Sequence, residues 1–163
     1  MKFVFVNGRV AVIVRYWEQR GQVIEGGARV ELRRVDQVEG PGHRAGAAGF
    51  TVQPIGNGGL WRADLFMVLS DPGAQCFHYH PQFEHSDVGE RFVEDELTTD
   101  PTKWIAVQLS DITDMLERCG AGDLVPSLDL DEHRRALPLM LAAVDACLAR
   151  IPAAMASAQE ARV

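Results

Sequence analysis

The sequence predicts an α+β fold in which an antiparallel curved sheet or small β-barrel is followed by two C-terminal helices. Residues 1–96 contain short alternations of apolar and polar side chains, separated by Gly, Asn and Pro, which is the pattern of antiparallel strands. After residue 96 apolar residues recur every three or four positions, the period of an amphipathic helix. We therefore expect a single domain, 1–163, mainly β over 1–96 and mainly α over 97–163.

Turn signals separate the predicted strands. Asn7-Gly8 favours the positive φ angles of a two-residue hairpin turn, and we interpret Gly26-Gly27 as a second such turn. Residues 36–49 lack periodicity and predict a loop, and Asp71-Pro72-Gly73 has the composition of a tight turn. The predicted strands are Phe3–Val6, Arg9–Trp17, Gln22–Glu25, Ala28–Val35, Phe50–Ile55, Leu60–Ser70 and Gln75–His80, with a short strand around Arg91–Glu94.

The first predicted helix begins at Asp100-Pro101, where Asp caps the helix and Pro occupies its first position. Gly120 is placed to end it. Its apolar stripe comprises Ile105, Leu109, Ile112 and Leu116.

The second helical segment begins near Asp129–Asp131. Pro138 is expected either to break it into a short turn and a main helix or to lie in the first turn of the main helix. Pro152 is expected to end or kink it, and the alanine-rich tail 153–163 suggests packing against a second copy of the chain in a homodimer. The apolar stripe comprises Leu137, Leu141, Val144, Leu148 and Ile151.

Composition excludes several classes of protein. Hydrophobic residues make up 47% and charged residues 24%, which is ordinary for a globular domain and excludes a disordered chain or a collagen-like fibre. No apolar run approaches the roughly 20 residues that cross a bilayer, so no membrane association is predicted. Three scattered cysteines, and no apolar stretch of signal-peptide length at the start, predict a cytoplasmic location.

The net charge of −7 makes nucleic acid an improbable partner. A local basic patch from Arg29, Arg33, Arg34 and Arg44 is the alternative; we favour a solvated strand face for these arginines. His133, near the start of the second helical segment, is interpreted as a surface residue, and Trp17, Trp61 and Trp104 as core or interface anchors.

The segment Cys76-Phe77-His78-Tyr79-His80 is the strongest candidate for a functional site. Because side chains alternate along a strand, Cys76, His78 and His80 share one face. The two imidazoles stand about 7 Å apart at Cβ, which lets both lean onto one metal ion. The segment therefore predicts a site for a divalent transition metal, namely Zn, Fe, Mn or Cu.

Further candidate ligands lie on either side of this segment. Glu84, His85 and Asp87 follow it, and Cys76 or Asp64 are additional options. We assign His78, His80 and His85 as metal ligands and Glu84, Asp64 and Arg62 as catalytic residues: a carboxylate can act as general base and an arginine can bind an anion.

Strand register decides what surrounds the histidines. If Ser70 pairs with Gln75, the histidine face is shared with apolar residues, namely Leu65, Met67 and Leu69. A slip of one residue brings Arg62, Asp64 and Ser70 to that face and makes a polar site. The sequence leaves both registers open.

The histidine segment resembles the first motif of the cupin superfamily, on Gly73, His78, His80, Glu84 and Gly89. In cupins the matching histidines and glutamate bind iron, manganese, zinc or copper, so the resemblance implies a metal site here. Two spacers are shorter than in the cupin pattern, and no second motif follows.

A second resemblance extends further along the chain. Trp61-Arg62-x-Asp64-Leu65-Phe66, His78-x-His80-Pro81-x-Phe83 and Asp100-Pro101-x-x-Trp104 are similar to motifs of an uncharacterised actinobacterial protein family. This resemblance spans roughly residues 60–120 and implies a shared fold.

The leading functional hypothesis is a small cytoplasmic metal-dependent enzyme that acts on a small-molecule ligand through its His-x-His site. The alternative is a non-catalytic homodimeric binding or accessory protein with a structural metal or none. A third is a small nuclease in which His78 and His80 act as acid and base without metal, which the net charge disfavours.

Overall fold

The computed structural model describes residues 1–20, 23–37, 43–45, 50–52, 55–71, 73–83 and 89–160. The strands are β1 Lys2–Asn7, β2 Val10–Arg20, β3 Ile24–Gln37, β4 His43–Ala45, β5 Phe50–Val52, β6 Ile55–Val68 and β7 Gln75–His80. The helices are α1 Asp95–Thr99, α2 Pro101–Ser110, α3 Ile112–Arg118, α4 Leu130–Leu148 and α5 Ile151–Glu160, with a 3₁₀ turn at Gly122–Ser127.

The strands form an open antiparallel sheet in the order β1-β2-β3-β6-β7, and β4 pairs with β5 in a separate two-stranded ladder. An α+β fold with a curved sheet and C-terminal helices is therefore confirmed, and the sheet is open rather than closed into a barrel. The predicted strand around Arg91–Glu94 is reduced to a single bridge between Phe92 and Tyr79.

The two faces of the sheet differ in character. One face is apolar and packs under the helices, with α4 lying on β1, β2 and β3. Its buried side chains include Val12, Val14, Val30, Leu32, Ala63 and Leu65. Alternation places the charged residues of the same strands on the opposite face, which we call the polar face. Its central residues are Arg15, Arg29, Glu31, Arg62, Asp64, His78 and His80.

The prediction of a turn at Gly26-Gly27 is wrong, because β3 runs without interruption through both glycines. Gly27 pairs with Trp17 on one side and with Phe66 on the other. A Cβ atom at Gly27 would lie 1.9 Å from the carbonyl oxygen of Leu65. The glycine therefore permits close strand packing, and it lets the two flanking aromatic rings meet across it.

The first predicted helix begins as expected but does not continue to Gly120 unbroken. The Asp100 side chain accepts a hydrogen bond from the backbone N–H of Lys103, and Gly120 has a φ of +72°. Asp111 interrupts the helix because its side chain caps a new one, accepting from the N–H of Asp114 at 3.0 Å. A further short helix, α1, precedes Asp100 and was not predicted.

The second helical segment starts at the expected cap, Asp129, but Pro138 neither breaks it nor lies in its first turn. Proline leaves unpaired the carbonyl four residues earlier, here that of Arg134. Both residues are exposed, so that carbonyl faces water and the helix continues. Pro152 lies in the first turn of α5, so the first part of the alanine-rich tail is helical.

Within the described residues one helical stretch, Leu130–Ala158, has the length and composition of a membrane span, with a hydropathy of 1.6. Length and composition alone are weak evidence for a membrane span, because the core helix of a soluble protein has the same properties. Met140, Val144 and Cys147 of this stretch are buried in the core that α4 shares with the sheet.

His133 is buried, contrary to the prediction of a surface residue. Its Nε2 atom lies 2.7 Å from the carbonyl oxygen of Leu109, which is therefore its hydrogen-bond partner. Trp61 and Trp104 are core residues, as expected, and their rings stack at 5.9 Å.

Candidate metal centre

The register of β6 and β7 places the histidines on a polar surface. Asp64 lies directly opposite His78, and Arg62 lies opposite His80. Leu65 pairs with Phe77 on the other face, so the register with an apolar histidine face is wrong. Cross-strand neighbours on one face approach to about 5 Å at Cβ, which brings the carboxylate within reach of both imidazoles.

Asp64, His78 and His80 converge to form a candidate metal-binding triad. One ligand atom from each of the three residues lies within 4.8 Å of the other two. The Nε2 atoms of His78 and His80 lie 3.4 and 3.6 Å from Oδ2 of Asp64. All three residues are buried; Asp64 is 0% exposed and His80 is 2% exposed. This buried group could hold a metal ion.

The spacing within the triad fits ligands better than hydrogen-bonding partners. Two ligands about 2.05 Å from a zinc ion, at a tetrahedral angle, lie about 3.4 Å apart. A hydrogen bond from a ring nitrogen to a carboxylate would be shorter, at about 2.7–3.2 Å. The distances from Asp64 to the two histidines therefore match the edge of a tetrahedral metal site.

Backbone contacts determine which ring nitrogen carries the proton. Nδ1 of His78 lies 2.6 Å from the carbonyl oxygen of Cys76, and Nδ1 of His80 lies 3.0 Å from that of Glu90. A carbonyl only accepts, so each Nδ1 carries the hydrogen and donates it. In the neutral ring each Nε2 then keeps its lone pair, as a metal-ligating histidine requires.

Two arginines hold the carboxylate of Asp64 in place. Nε of Arg29 donates to Oδ1 at 2.5 Å, and Nε of Arg62 donates to Oδ2 at 2.7 Å. Burial raises the pKa of Asp64, but the neighbouring side chain of His78, the hydrogen bond from Arg62 and the charges of Arg29 and Arg62 more than offset this effect. The pKa is held well below its ordinary value, and the carboxylate stays ionised.

His80 is kept neutral by its surroundings. Burial lowers the pKa of His80, and the neighbouring imidazole of His78 lowers it further, which outweighs the opposing effect of Asp64. The two rings are 5.0 Å apart between centroids and nearly perpendicular. A neutral His80 has a lone pair available for a cation.

The predicted site residues have three different outcomes. Arg62, Asp64, His78 and His80 are brought together. Cys76 lies on the same face but outside the triad, and its backbone oxygen serves as the partner of His78. The other predicted residues, Glu84, His85 and Asp87, lie outside the described residues.

Arg29 is the site residue that sequence reasoning missed. The sequence predicts a solvated strand face for Arg29, yet Arg29 is only 9% exposed and holds Asp64. The alternation of Arg29, Glu31 and Arg33 along β3 was the available signal. As long as the pairing of β3 with β6 is unknown, that alternation does not distinguish a solvent-exposed strand face from a buried polar one.

Comparisons with protein-family models, with curated proteins and with solved structures give no match for this chain.

Proposed function

We propose that this protein is a small metal-dependent enzyme that acts on a small molecule, with a divalent transition metal bound by His78, His80 and Asp64. The observation that carries the proposal is the 3.4 and 3.6 Å spacing between Asp64 Oδ2 and the two Nε2 atoms. Three protein ligands are the number found in catalytic zinc sites, where the remaining position takes water or substrate.

The donor set limits the metal and its chemistry. Two imidazoles and one carboxylate suit zinc, which lowers the pKa of bound water for hydrolysis or lyase reactions. The same set suits ferrous iron, which supports oxygen chemistry, and it is also compatible with manganese or copper. With either metal the side chains would be prepared for coordination by the same contacts. Arg29 and Arg62 hold the Asp64 carboxylate ionised, and the backbone carbonyls of Cys76 and Glu90 orient the two histidines.

The catalytic role expected for Arg62 becomes a positioning role in this proposal, because Arg62 donates to Asp64. His85 as a ligand and Glu84 as a general base remain predictions. A cytoplasmic location also remains part of the proposal.

A second candidate is a non-catalytic, homodimeric binding protein in which this cluster is structural. Both oxygens of Asp64 already accept from guanidinium groups, Arg29 on one and Arg62 on the other. A buried arrangement of two cations around one anion is self-consistent without a metal, and an added divalent cation would be repelled by both arginines.

Elemental analysis of the untagged protein separates the two candidates. We expect about one equivalent of metal in the wild type and a large loss in His78→Ala and in His80→Ala. His133→Gln is the matched control: it removes an imidazole outside the triad and keeps a donor for Leu109. Circular dichroism establishes that each variant is folded.

Failure to bind zinc, iron, manganese or copper after reconstitution would contradict the metal-dependent function and favour the structural candidate. Metal retained in both alanine variants would place the ion elsewhere. A chelator should also lower the melting temperature of the wild type, because a ligand that binds only the folded state stabilises it.

A further inference from the structure

The polar face is organised as two cross-strand rows. The first row runs across β2, β3, β6 and β7 and consists of Arg15, Arg29, Asp64 and His78. The adjacent row consists of Ile13, Glu31, Arg62 and His80. The metal triad and Arg62 therefore occupy the β6–β7 end of these rows, and in the first row arginines occupy the positions on β2 and β3.

Positive charge is concentrated on this face of an acidic chain. The net charge of the chain is −7, yet the face has four arginines and Lys2 against three carboxylates, Glu25, Glu31 and Asp64. The four arginines are Arg15, Arg29, Arg33 and Arg62. Such a local excess in a partly enclosed site attracts anions.

The positive charges of Arg15 and Arg29, the two arginines in the first row, are not fully compensated by neighbouring carboxylates. Arg15 lies directly opposite Arg29, an arrangement of like charges that destabilises a sheet. Glu31 accepts from Arg33 at 3.1 Å, whereas its contact with Arg15 is longer, at 3.5 Å. Asp64 is shared between Arg29 and Arg62.

Arg15 and Arg29 also have hydrogen-bond donors that their neighbours do not use. Among the residues that the structure describes, the buried Nε atom of Arg15 has no hydrogen-bond partner. Arg29 is only 9% exposed and uses Nε for Asp64; its two Nη atoms make no hydrogen bond within the described part of the chain. A buried N–H group without a partner is costly, so Nε of Arg15 is suited to an anion from outside, and the Nη atoms of Arg29 can donate to the same anion.

Aromatic rings fix the position of one of these guanidinium groups. The Cζ atom of Arg29 lies 5.1 Å from the ring centroids of both Trp17 and Phe66. Those rings stack on each other at 4.7 Å, across the backbone of Gly27. A guanidinium held on one edge by Asp64 and on its face by rings is preorganised for bidentate binding of an oxyanion.

We propose that Arg15 and Arg29 bind the anionic end of the substrate, a carboxylate or phosphate group, next to the metal triad. This inference rests on the proposed function and names its substrate class, a small organic anion. The midlines of the β2–β3 and β6–β7 pairs are two strand spacings apart, or about 10 Å, so one small molecule can reach both sites.

The test is an anion titration of the protein after metal has been removed by chelation, at low ionic strength. Inorganic phosphate and acetate are the two probes, which separates a phosphate site from a carboxylate site. Calorimetry measures affinity, and tryptophan fluorescence reports on the vicinity of Trp17. We expect saturable binding of at least one probe that Arg15→Gln weakens about tenfold or more.

Arg134→Gln is the matched control, because Arg134 is an exposed arginine paired only with Asp131 within the described residues. It should leave anion affinity unchanged. Arg15 is the informative position because it is one-third exposed and its contacts are weak, so Arg15→Gln should fold. Arg29→Gln adds a second variant but also removes a partner of Asp64.

Absence of binding for both probes, or equal loss in Arg15→Gln and Arg134→Gln, would overturn the inference. Metal content measured on the same variants keeps the two proposals separate. Metal binding without anion binding would contradict the anion site and leave the metal-dependent function supported. Saturable anion binding that depends on Arg15, in a protein that takes up no metal, supports the anion site and contradicts the metal-dependent function.

Discussion

The Nε2 atom of His78 lies 3.4 Å from Oδ2 of Asp64, the residue directly opposite it on the neighbouring strand. The strand register alone creates this contact. A shift of one residue would turn Asp64 toward the helices and leave the histidines beside Ala63 and Leu65. The candidate metal centre therefore depends on strand pairing, because the His-x-His motif supplies only two of its three residues.

Asp64→Asn should strongly destabilise the protein even without metal. The substitution leaves the buried Arg29 and the partly buried Arg62 without their anion, since both donate to this carboxylate. Removing one partner of a buried ion pair costs about 3–5 kcal/mol, and we expect a loss of that size in the free energy of unfolding. Urea denaturation in the presence of a chelator measures it without any contribution from a bound ion.

Asp131→Asn provides the control for this loss. Asp131 pairs with Arg134 on the surface of α4, where both side chains are more than half exposed. An exposed pair of this kind contributes about 0.5 kcal/mol or less. A similar small effect for Asp64→Asn would show that Arg29 and Arg62 do not depend on the carboxylate of Asp64 for stability.

Local signals in the sequence were sufficient for much of the fold. A hairpin forms where Asn7-Gly8 predicts one, but Asn7 pairs with Val10, so the two turn residues are Gly8 and Arg9. Asp100 and Asp129 cap helices at the predicted positions. Each of these features depends on a few adjacent residues whose chemistry admits one local conformation. The same local reasoning placed His78 and His80 on one face of a strand.

What the sequence left open depends on contacts between distant residues. Whether Asp64 or Leu65 faces the histidines is decided by the pairing of whole strands. Gly26-Gly27 has the composition of a turn, but the tight approach of Leu65 makes it part of a strand. The burial of Arg29 likewise follows from neighbours on two other strands, β2 and β6, and has no local signature.

Gly27→Ala should destabilise the protein, and Gly58→Ala should not. A Cβ atom at Gly27 would lie 1.9 Å from the carbonyl oxygen of Leu65, so two paired strands would have to separate. At Gly58 the nearest atom is the Cβ of Arg34, at 3.9 Å, an ordinary contact. We expect Gly27→Ala to lower the free energy of unfolding by about 1–3 kcal/mol or more, as overpacking does.

Thermal or urea denaturation of the two glycine variants side by side tests this expectation. The comparison is well matched, because both substitutions add one methyl group to a strand of the same sheet. Equal stability of the two variants would mean that β3 and β6 can separate at Gly27 without loss. The stacking of Trp17 on Phe66 would then not depend on the close approach of these strands.

Tyr79 should resist ionisation at high pH. Its hydroxyl donates to Glu94 at 2.7 Å; burial, together with the charge and hydrogen bond of Glu94, raises the pKa of Tyr79 to about 12. An unfolded chain has a tyrosine pKa of about 10, so the neutral phenol stabilises the fold below that pH. This contribution should be lost as the pH rises from about 10 to about 12.

Phenolate absorbance during an alkaline titration measures this directly, because the chain has only two tyrosines. Tyr79→Phe should remove the late step, whereas Tyr16→Phe should keep it. Glu94→Gln should bring the step to lower pH by removing the carboxylate charge, and Glu96→Gln, at an exposed position of α1, should not. Glu94 also accepts from Nε1 of Trp104 at 2.7 Å, so Glu94→Gln should alter tryptophan fluorescence as well. If both tyrosines of the folded wild type ionise together near pH 10, the Tyr79–Glu94 hydrogen bond does not hold the phenol neutral.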